Sequence, residues 1–403
     1  MDIGIAIQNN FPADREVRAR KIAKSLHQDG DDVRIFARND RSDAARGQIA
    51  DSFPPTRERL SYATVHRFSW GVRTALGSVI TAPIPFNPFW ILWLILQFRR
   101  TGIDVVVASD LRAGSCAVVA AKLAGVPVVV DLRENHTELV RVLPRSSLLD
   151  RIVKHPGLIA LVERTVIAGA DQLWVVTPER KRDLPSNATG RTHVVSNTPL
   201  LSEIESRTDG GAPVDVSPDR QTLVYVGLLN DFRGLDPVIE SLELLVDSGL
   251  EVELIVAGEG PHRLSLEAKA RLIGVSDRVQ FIGWIDAEDV PAFLAAGDIG
   301  LVPHDVNSFT NTTVPNKLFD CMSVGIPVAT SNMDSVARIV EDVGCGRVFR
   351  PDSSPPCVAA TLRSMLTDDN LAEMGRRGRA AVLEEYKWQR EAGRIRRTLD
   401  SLV

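Results

Sequence analysis

Residues 222–247 read TLVYVGLLNDFRGLDPVIESLELLVD. Five strand-favouring residues, Thr222 to Val226, run into Gly227. A polar loop carrying Arg233 follows, and then apolar positions fall at helical spacing from Leu235 onward. A strand, a glycine at its carboxyl end and a returning helix form the repeating unit of a parallel α/β sheet. The unit recurs downstream. The pattern predicts strands over 251–257, 279–282, 299–303, 326–330 and 347–349, separated by helices over 264–272, 287–295, 316–324 and 335–341. The first half alternates likewise, with predicted strands over 3–7, 33–37, 64–68, 105–109, 126–130, 172–176 and 193–196 and helices over 15–28, 112–123 and 148–168. Uninterrupted Val and Ile runs suit strands buried on both faces of a sheet. Each half therefore predicts a doubly wound, Rossmann-like α/β domain. Residues 205–220, ESRTDGGAPVDVSPDR, read as a linker or exposed loop. The expected division is 1–200 and 201–385. The Arg-rich helical tail, 386–403, is expected to pack back on the first domain, with a solvated charged helix as the alternative.

The chain of 403 residues is 44% hydrophobic and 25% charged, which excludes a disordered class. Its net charge of −5 argues against a nucleic-acid partner. That total joins unlike halves: residues 1–200 hold 27 Lys+Arg and 20 Asp+Glu, net +7, and residues 201–403 hold 20 and 32, net −12. The split fits two modules facing different partners, or drift of two solvated surfaces. Cys116, Cys321, Cys345 and Cys357 follow no disulfide or metal-ligand spacing, so reduced thiols and a cytoplasmic setting are expected. The chain starts directly in a strand-like run, with no signal-peptide pattern, and no apolar stretch reaches the ~20 residues of a membrane span. Asp29-Gly30-Asp31 sits where a helix turns into a strand rather than in a metal loop, so no metal is expected.

In doubly wound sheets, ligands sit beyond the carboxyl ends of the strands. Three loops there carry candidate chemistry. Gly227 to Gly234 places Arg233 near a helix N-terminus, a natural seat for phosphate or an ordinary βα turn. Gly258-Glu259-Gly260-Pro261 lets a ligand approach the backbone, or simply supplies a tight turn. In VPNKLFDCMSVGIPV, 314–328, Lys317 opens a predicted helix where its charge opposes the dipole, a conflict an anionic ligand would relieve. Asp320, three residues on, is placed to accept ribose hydroxyls or to form an exposed ion pair with Lys317.

The order and spacing of these blocks resemble glycosyltransferase family 4, of the GT-B architecture. PNKLFDCMSVGIPV is similar to the subgroup pattern P-x-K-x-x-[DE]-x-M-x-x-G-x-P-V, and VGLLNDFRG to the loop G-R-L-x-x-x-K-G. The resemblance implies two Rossmann-like domains facing a central cleft. It implies a retaining transfer from a nucleotide-sugar without a bound metal. Arg233 and Lys317 would be the catalytic cations on the donor diphosphate. Gly227, Gly258, Phe281, Ile282, Asn311, Thr312, Thr313 and Asp320 would complete the donor site. Two family positions differ: Leu228 stands at the loop's arginine and Thr312 at the first acid of E-x7-E.

In the first half, VVVDLRENH, 128–136, ends a buried strand in polar residues and resembles the family's D-x-H-E-N-x-x-E stretch, with Arg133 at a common histidine. Arg133, Glu134 and His136 are acceptor-side candidates, as are Asn10 and Asp14 after the first strand; a helix cap is the other reading of Asp14. The segment 85–100, PFNPFWILWLILQFRR, is expected to be a buried core helix or an interfacial helix. The second reading sets two Trp at headgroup depth and an Arg pair on anionic lipid.

Together these features point to a retaining glycosyltransferase. It would move a sugar from a UDP-sugar, with GDP second, to a glycan or lipid-linked acceptor of the cell envelope, at the inner membrane face. A GT-B nucleotide-sugar epimerase and a non-catalytic nucleotide-sugar-binding subunit are the alternatives.

Overall fold

The computed structural model describes residues 1–9, 11, 16–38, 55–69, 84–142, 154–200, 214 and 216–403. Asn10 and Asp14, most of the 205–220 linker and the start of the predicted 148–168 helix lie outside them. The chain divides into two compact units: Met1–Ser196 with Glu391–Val403, and Asn197–Arg390.

In the first unit, β1 (Asp2–Ile7), β2 (Asp32–Arg38), β3 (Arg57–Arg59), β4 (Thr64–Phe68), β5 (Val105–Ser109), β6 (Val128–Leu132), β7 (Gln172–Val175) and β8 (Thr192–Val194) form one sheet. Its order is β3-β4-β2-β1-β5-β6-β7-β8. All described pairings are parallel except that of β3 with β4. Arg57-Glu58-Arg59 has no apolar alternation, so this short charged edge strand escapes a pattern reading. The chain runs outward from β1 in both directions, so the strand order reverses between β1 and β5, where a ligand crevice forms.

The helix Pro88–Thr101 settles the reading of 85–100. The Asn87 carbonyl caps it, accepting from the Phe89 and Trp90 amides at 3.0 and 3.2 Å. Trp90, Trp93, Leu94 and Phe98 are buried. Trp93 packs edge-on to Phe36 with ring centroids 6.1 Å apart and lies 5.6 Å from Phe68. Both indoles are buried in the core of the first unit, so they do not sit at headgroup depth. The core reading holds for them. Phe89 and Leu92 are the exposed apolar residues of the helix.

The second unit is built from β9 (Gln221–Val226), β10 (Val252–Ala257), β11 (Val279–Gly283), β12 (Ile299–Val302), β13 (Val328–Thr330) and β14 (Gly346–Val348). Its described pairings are all parallel, in the order β11-β10-β9-β12-β13-β14. Strand order reverses between β9 and β12. Core residues from Leu223 to Leu366 cover one face, and a second cluster around Phe293, Leu318, Met322 and Val336 covers the other.

The last helix, Trp388–Asp400, begins in the second unit and ends in the first. Within the first unit, Glu391 accepts from the Ser196 amide at 3.0 Å and Arg396 meets Asp31 at 2.5 Å. Asp31 also holds the N-terminal ammonium at 2.8 Å, so the Asp29-Gly30-Asp31 turn is an ion-pair anchor.

Candidate functional site

Three neighbouring strands of the second sheet end at glycine: Gly227 after β9, Gly258 after β10, and Gly283 closing β11. Gly227 donates to the Ala257 carbonyl at 2.9 Å and Gly258 to that of Gly283 at 2.7 Å. Gly258 has φ +147°, and a Cβ there would stand 2.0 Å from the Gly227 carbonyl oxygen. The result is a shelf of bare backbone along the carboxyl edge of the sheet.

Beside it, Lys317, Arg233 and His304 gather around Tyr225. Lys317 lies in the first turn of the helix Asn316–Val324. Its Nζ stands 3.7 Å from the centroid of the Tyr225 ring and 3.0 Å from where a Gly227 Cβ would be. The Lys317 side chain is buried and, among the described residues, Nζ has no hydrogen-bond partner. Burial first, and then the Arg233 charge, hold it well below the ordinary lysine range. Arg233 closes the 3₁₀ turn Asp231–Arg233. Its Nη1 donates to His304 Nε2, and its guanidinium lies 5.0 Å from the centre of the Phe232 ring. His304 is buried; that burial, with Lys317 and Arg233 beside it, holds the imidazole well below the usual histidine range and therefore neutral.

The turn itself is clamped. The Asp305 amide donates to the Phe232 carbonyl at 3.1 Å. On its other flank His262 lies between Asp231, at 3.0 Å, and Asp236, at 2.6 Å. Among the described residues no carboxylate pairs with Arg233. The buried Lys317, the half-buried Arg233 and a helix N-terminus beside a backbone shelf are arranged for an anion with several oxygens.

The other donor-side candidates belong to the same unit. Asp320 lies one turn further along the helix of Lys317, half-buried. Phe281 and Ile282 are half-buried at the end of β11, and the Phe281 carbonyl accepts from Arg263 at 3.3 Å. Asn311 uses its side-chain oxygen to accept from the Asp334 amide at 3.3 Å, at the start of the helix Asp334–Val343. Thr312 is buried and its hydroxyl donates to the Phe309 carbonyl at 3.1 Å; that of Thr313 reaches the Thr310 carbonyl at 3.4 Å. Leu228 is exposed and adds no charge.

In the first unit a second polar cluster lies at the carboxyl ends of β5 and β6. His136 Nε2 is 3.2 Å from Asp110 and its Nδ1 3.3 Å from the Glu134 carbonyl. Arg133 is 3.6 Å from Glu16 and 3.9 Å from Asp110. Burial works against a charged His136, but the Asp110 carboxylate overrides it and holds the imidazole above its usual range. Burial likewise opposes the Asp110 charge; His136 and then Arg133 outweigh it and keep that carboxyl below the usual range. Burial raises Glu16, against the pull of Arg133 and of Asn9, which donates to it at 2.7 Å. Asp110 has φ +78°, a left-handed conformation uncommon outside glycine. Glu134 is exposed.

Sequence reasoning missed Tyr225, His304, Asp110 and Glu16. The signal for His304 and Asp110 was available: a polar residue at the carboxyl end of a strand otherwise buried throughout, as in IGLVPHD, 299–305, and VVVASD, 105–110.

Comparisons with known proteins agree with this architecture. Residues 220–368 match the model "Glycosyl transferases group 1" and residues 16–198 match "Glycosyl transferase 4-like domain". The 2-deoxystreptamine glucosyltransferase of Streptomyces kanamyceticus is 26% identical over 84% of this chain and 89% of its own length. Among solved structures, sucrose-phosphate synthase from Thermosynechococcus elongatus superposes with a TM-score of 0.72 at 17% identity, covering all of both chains. HepE of Anabaena, in complex with UDP, gives 0.69 at 15%, again over the whole of both. Two parallel Rossmann-like units, matched by these two models over most of their length, make the chain a GT-B glycosyltransferase of the group 1 and 4-like type.

Proposed function

We propose that this glycosyltransferase moves a hexose from a UDP-sugar to a hydroxyl of a glycan or lipid-linked acceptor of the cell envelope, with retention at the anomeric carbon. The observation that carries the donor reading is the buried, unpartnered Lys317 ammonium beside Arg233 at the edge of the glycine shelf. As the bond from the anomeric carbon to the diphosphate oxygen lengthens, negative charge builds on the leaving diphosphate. Arg233, Lys317 and the N-terminal amides of the helix Asn316–Val324 are preorganised against that charge, without a metal in the scheme. The acceptor hydroxyl bonds to the anomeric carbon on the face the diphosphate leaves, and its proton passes to the departing phosphate oxygen. The complex of HepE with UDP supports uridine as the base. The basic first half, where the Asp110 carboxylate works against burial to raise Arg133 and His136, supports an acceptor of polar character.

The test is a panel of nucleotide-sugars by thermal shift, followed by mass spectrometry of products formed on membrane extracts. A UDP-sugar is expected to raise the melting temperature most and to yield a hexose-extended product. Donor conversion with no acceptor would favour an epimerase, and binding without turnover would favour a non-catalytic subunit. Stabilisation by GDP-sugars alone would overturn the choice of base.

A further inference from the structure

The loop that carries Arg233 is seated on the backbone that follows β12. Gly234 has φ +67°, and a Cβ there would stand 1.8 Å from the Pro303 carbonyl oxygen. The next residue along, His304, holds the guanidinium itself. Its Nε2 accepts from Arg233 Nη1, and its own carbonyl is fixed by the Ser331 hydroxyl. The imidazole is 2% exposed, so its rotamer is set by packing rather than by solvent. An acceptor at Nε2 requires the ring proton on Nδ1, which has no partner among the described residues. A buried donor left unpaired is costly, and an apolar side chain would fill this position without that penalty. A histidine here is therefore explained by what Nε2 does for Arg233.

We infer that His304 is a positioning residue of the donor site: a neutral imidazole that holds Arg233 in the one orientation that meets the leaving diphosphate. This rests on the donor reading above and deepens it. Without His304, among the described residues, the guanidinium is tethered only by its own flexible stem and the face of Phe232. It then loses rotamer entropy each time it engages a phosphate, and the site is no longer preorganised.

The test uses the full chain and titrates UDP and inorganic pyrophosphate against wild type, His304→Leu, His304→Gln, Arg233→Ala and the double variant Arg233→Ala/His304→Leu. A Gln amide oxygen can accept where Nε2 does; Leu fills the space and cannot. Losing a hydrogen bond of a charged group predicts at least about tenfold weaker UDP binding by His304→Leu. His304→Gln is expected to recover most of that loss. In the Arg233→Ala background, His304→Leu is expected to add little, because there is no guanidinium left to orient. Additive losses in the double variant, or equal losses in Leu and Gln at unchanged melting temperature, would overturn the positioning role. If neither UDP nor pyrophosphate binds wild type, the donor reading fails instead, so the two failures are distinct.

Discussion

Lys317 is the side chain whose state most depends on its ligand. Its Nζ faces an aromatic ring and a cation, with no hydrogen-bond partner among the described residues. On the proposed donor reading, a bound diphosphate would supply the missing negative charge and raise the ammonium's pKa toward the ordinary lysine range. A ligand that raises a group's pKa takes up a proton on binding, so affinity is greatest at low pH. It falls as pH rises through the pKa of Lys317 in the complex, provided the phosphates stay ionised. Calorimetry of UDP binding in two buffers of different ionisation enthalpy is expected to show net proton uptake above the free-state pKa. Lys317→Met is expected to abolish that uptake; uptake unchanged in the variant would assign the proton elsewhere. For catalysis, Lys317→Ala and Arg233→Ala should each lower turnover by at least about tenfold with the fold intact, since each removes charge stabilisation made strongest in the transition state. Near-normal kcat in either would remove it from the machinery.

At the scale of elements, most of the donor edge was legible because it is written in local chemistry. A strand, a glycine and a helix opening with a basic residue are each set by their own sequence, and β9, β10 and the helix Asn316–Val324 fall within a residue or two of where periodicity puts them. What periodicity cannot supply is which loop rests on which. That Arg233 meets His304, 71 residues on, follows from β9 and β12 being sheet neighbours. That Asn311 spends its side-chain oxygen on Asp334 follows from the pairing of β12 with β13, the strands that lead into their two loops. The close approach of Gly234 to Pro303 gives this scale its prediction. Gly234→Ala sets a methyl against the Pro303 carbonyl, one residue before the His304 carbonyl that Ser331 holds, in a left-handed conformation besides. The turn must lift, at a cost of about 1–3 kcal/mol. Both the melting temperature and UDP affinity should fall. A drop in affinity without loss of stability would mean that the turn is not seated as described.

The whole chain shows why the first unit was harder to read than the second. Its Trp-bearing helix is apolar on every side, so hydropathy alone leaves a lipid surface and a protein core as rivals; only the packing of Trp93 on Phe36 and Phe68 decides between them. Its polar cluster, the candidate acceptor side, draws on residues as far apart as Glu16 and His136, and the end of β5 marks Asp110 in the sequence but not its left-handed backbone. The same long reach governs stability. Arg18 on the helix Val17–Gln28 makes a two-pronged pair with Asp131 at 2.7 and 2.9 Å. It also donates to the Val195 and Ser196 carbonyls at 2.8 and 3.2 Å, tying β6 to the end of the unit's sheet. Both partners are buried. Removing one leaves an uncompensated interior charge, worth about 3–5 kcal/mol. All of these groups belong to the first unit, and each unit has its own core, so the loss should stay local. In Arg18→Ala, hydrogen exchange is expected to accelerate across β1, β5 and β6, while β9, β10 and β12 keep wild-type protection and UDP still slows exchange around Gly227. Equal acceleration in both units would show that they unfold as one cooperative body.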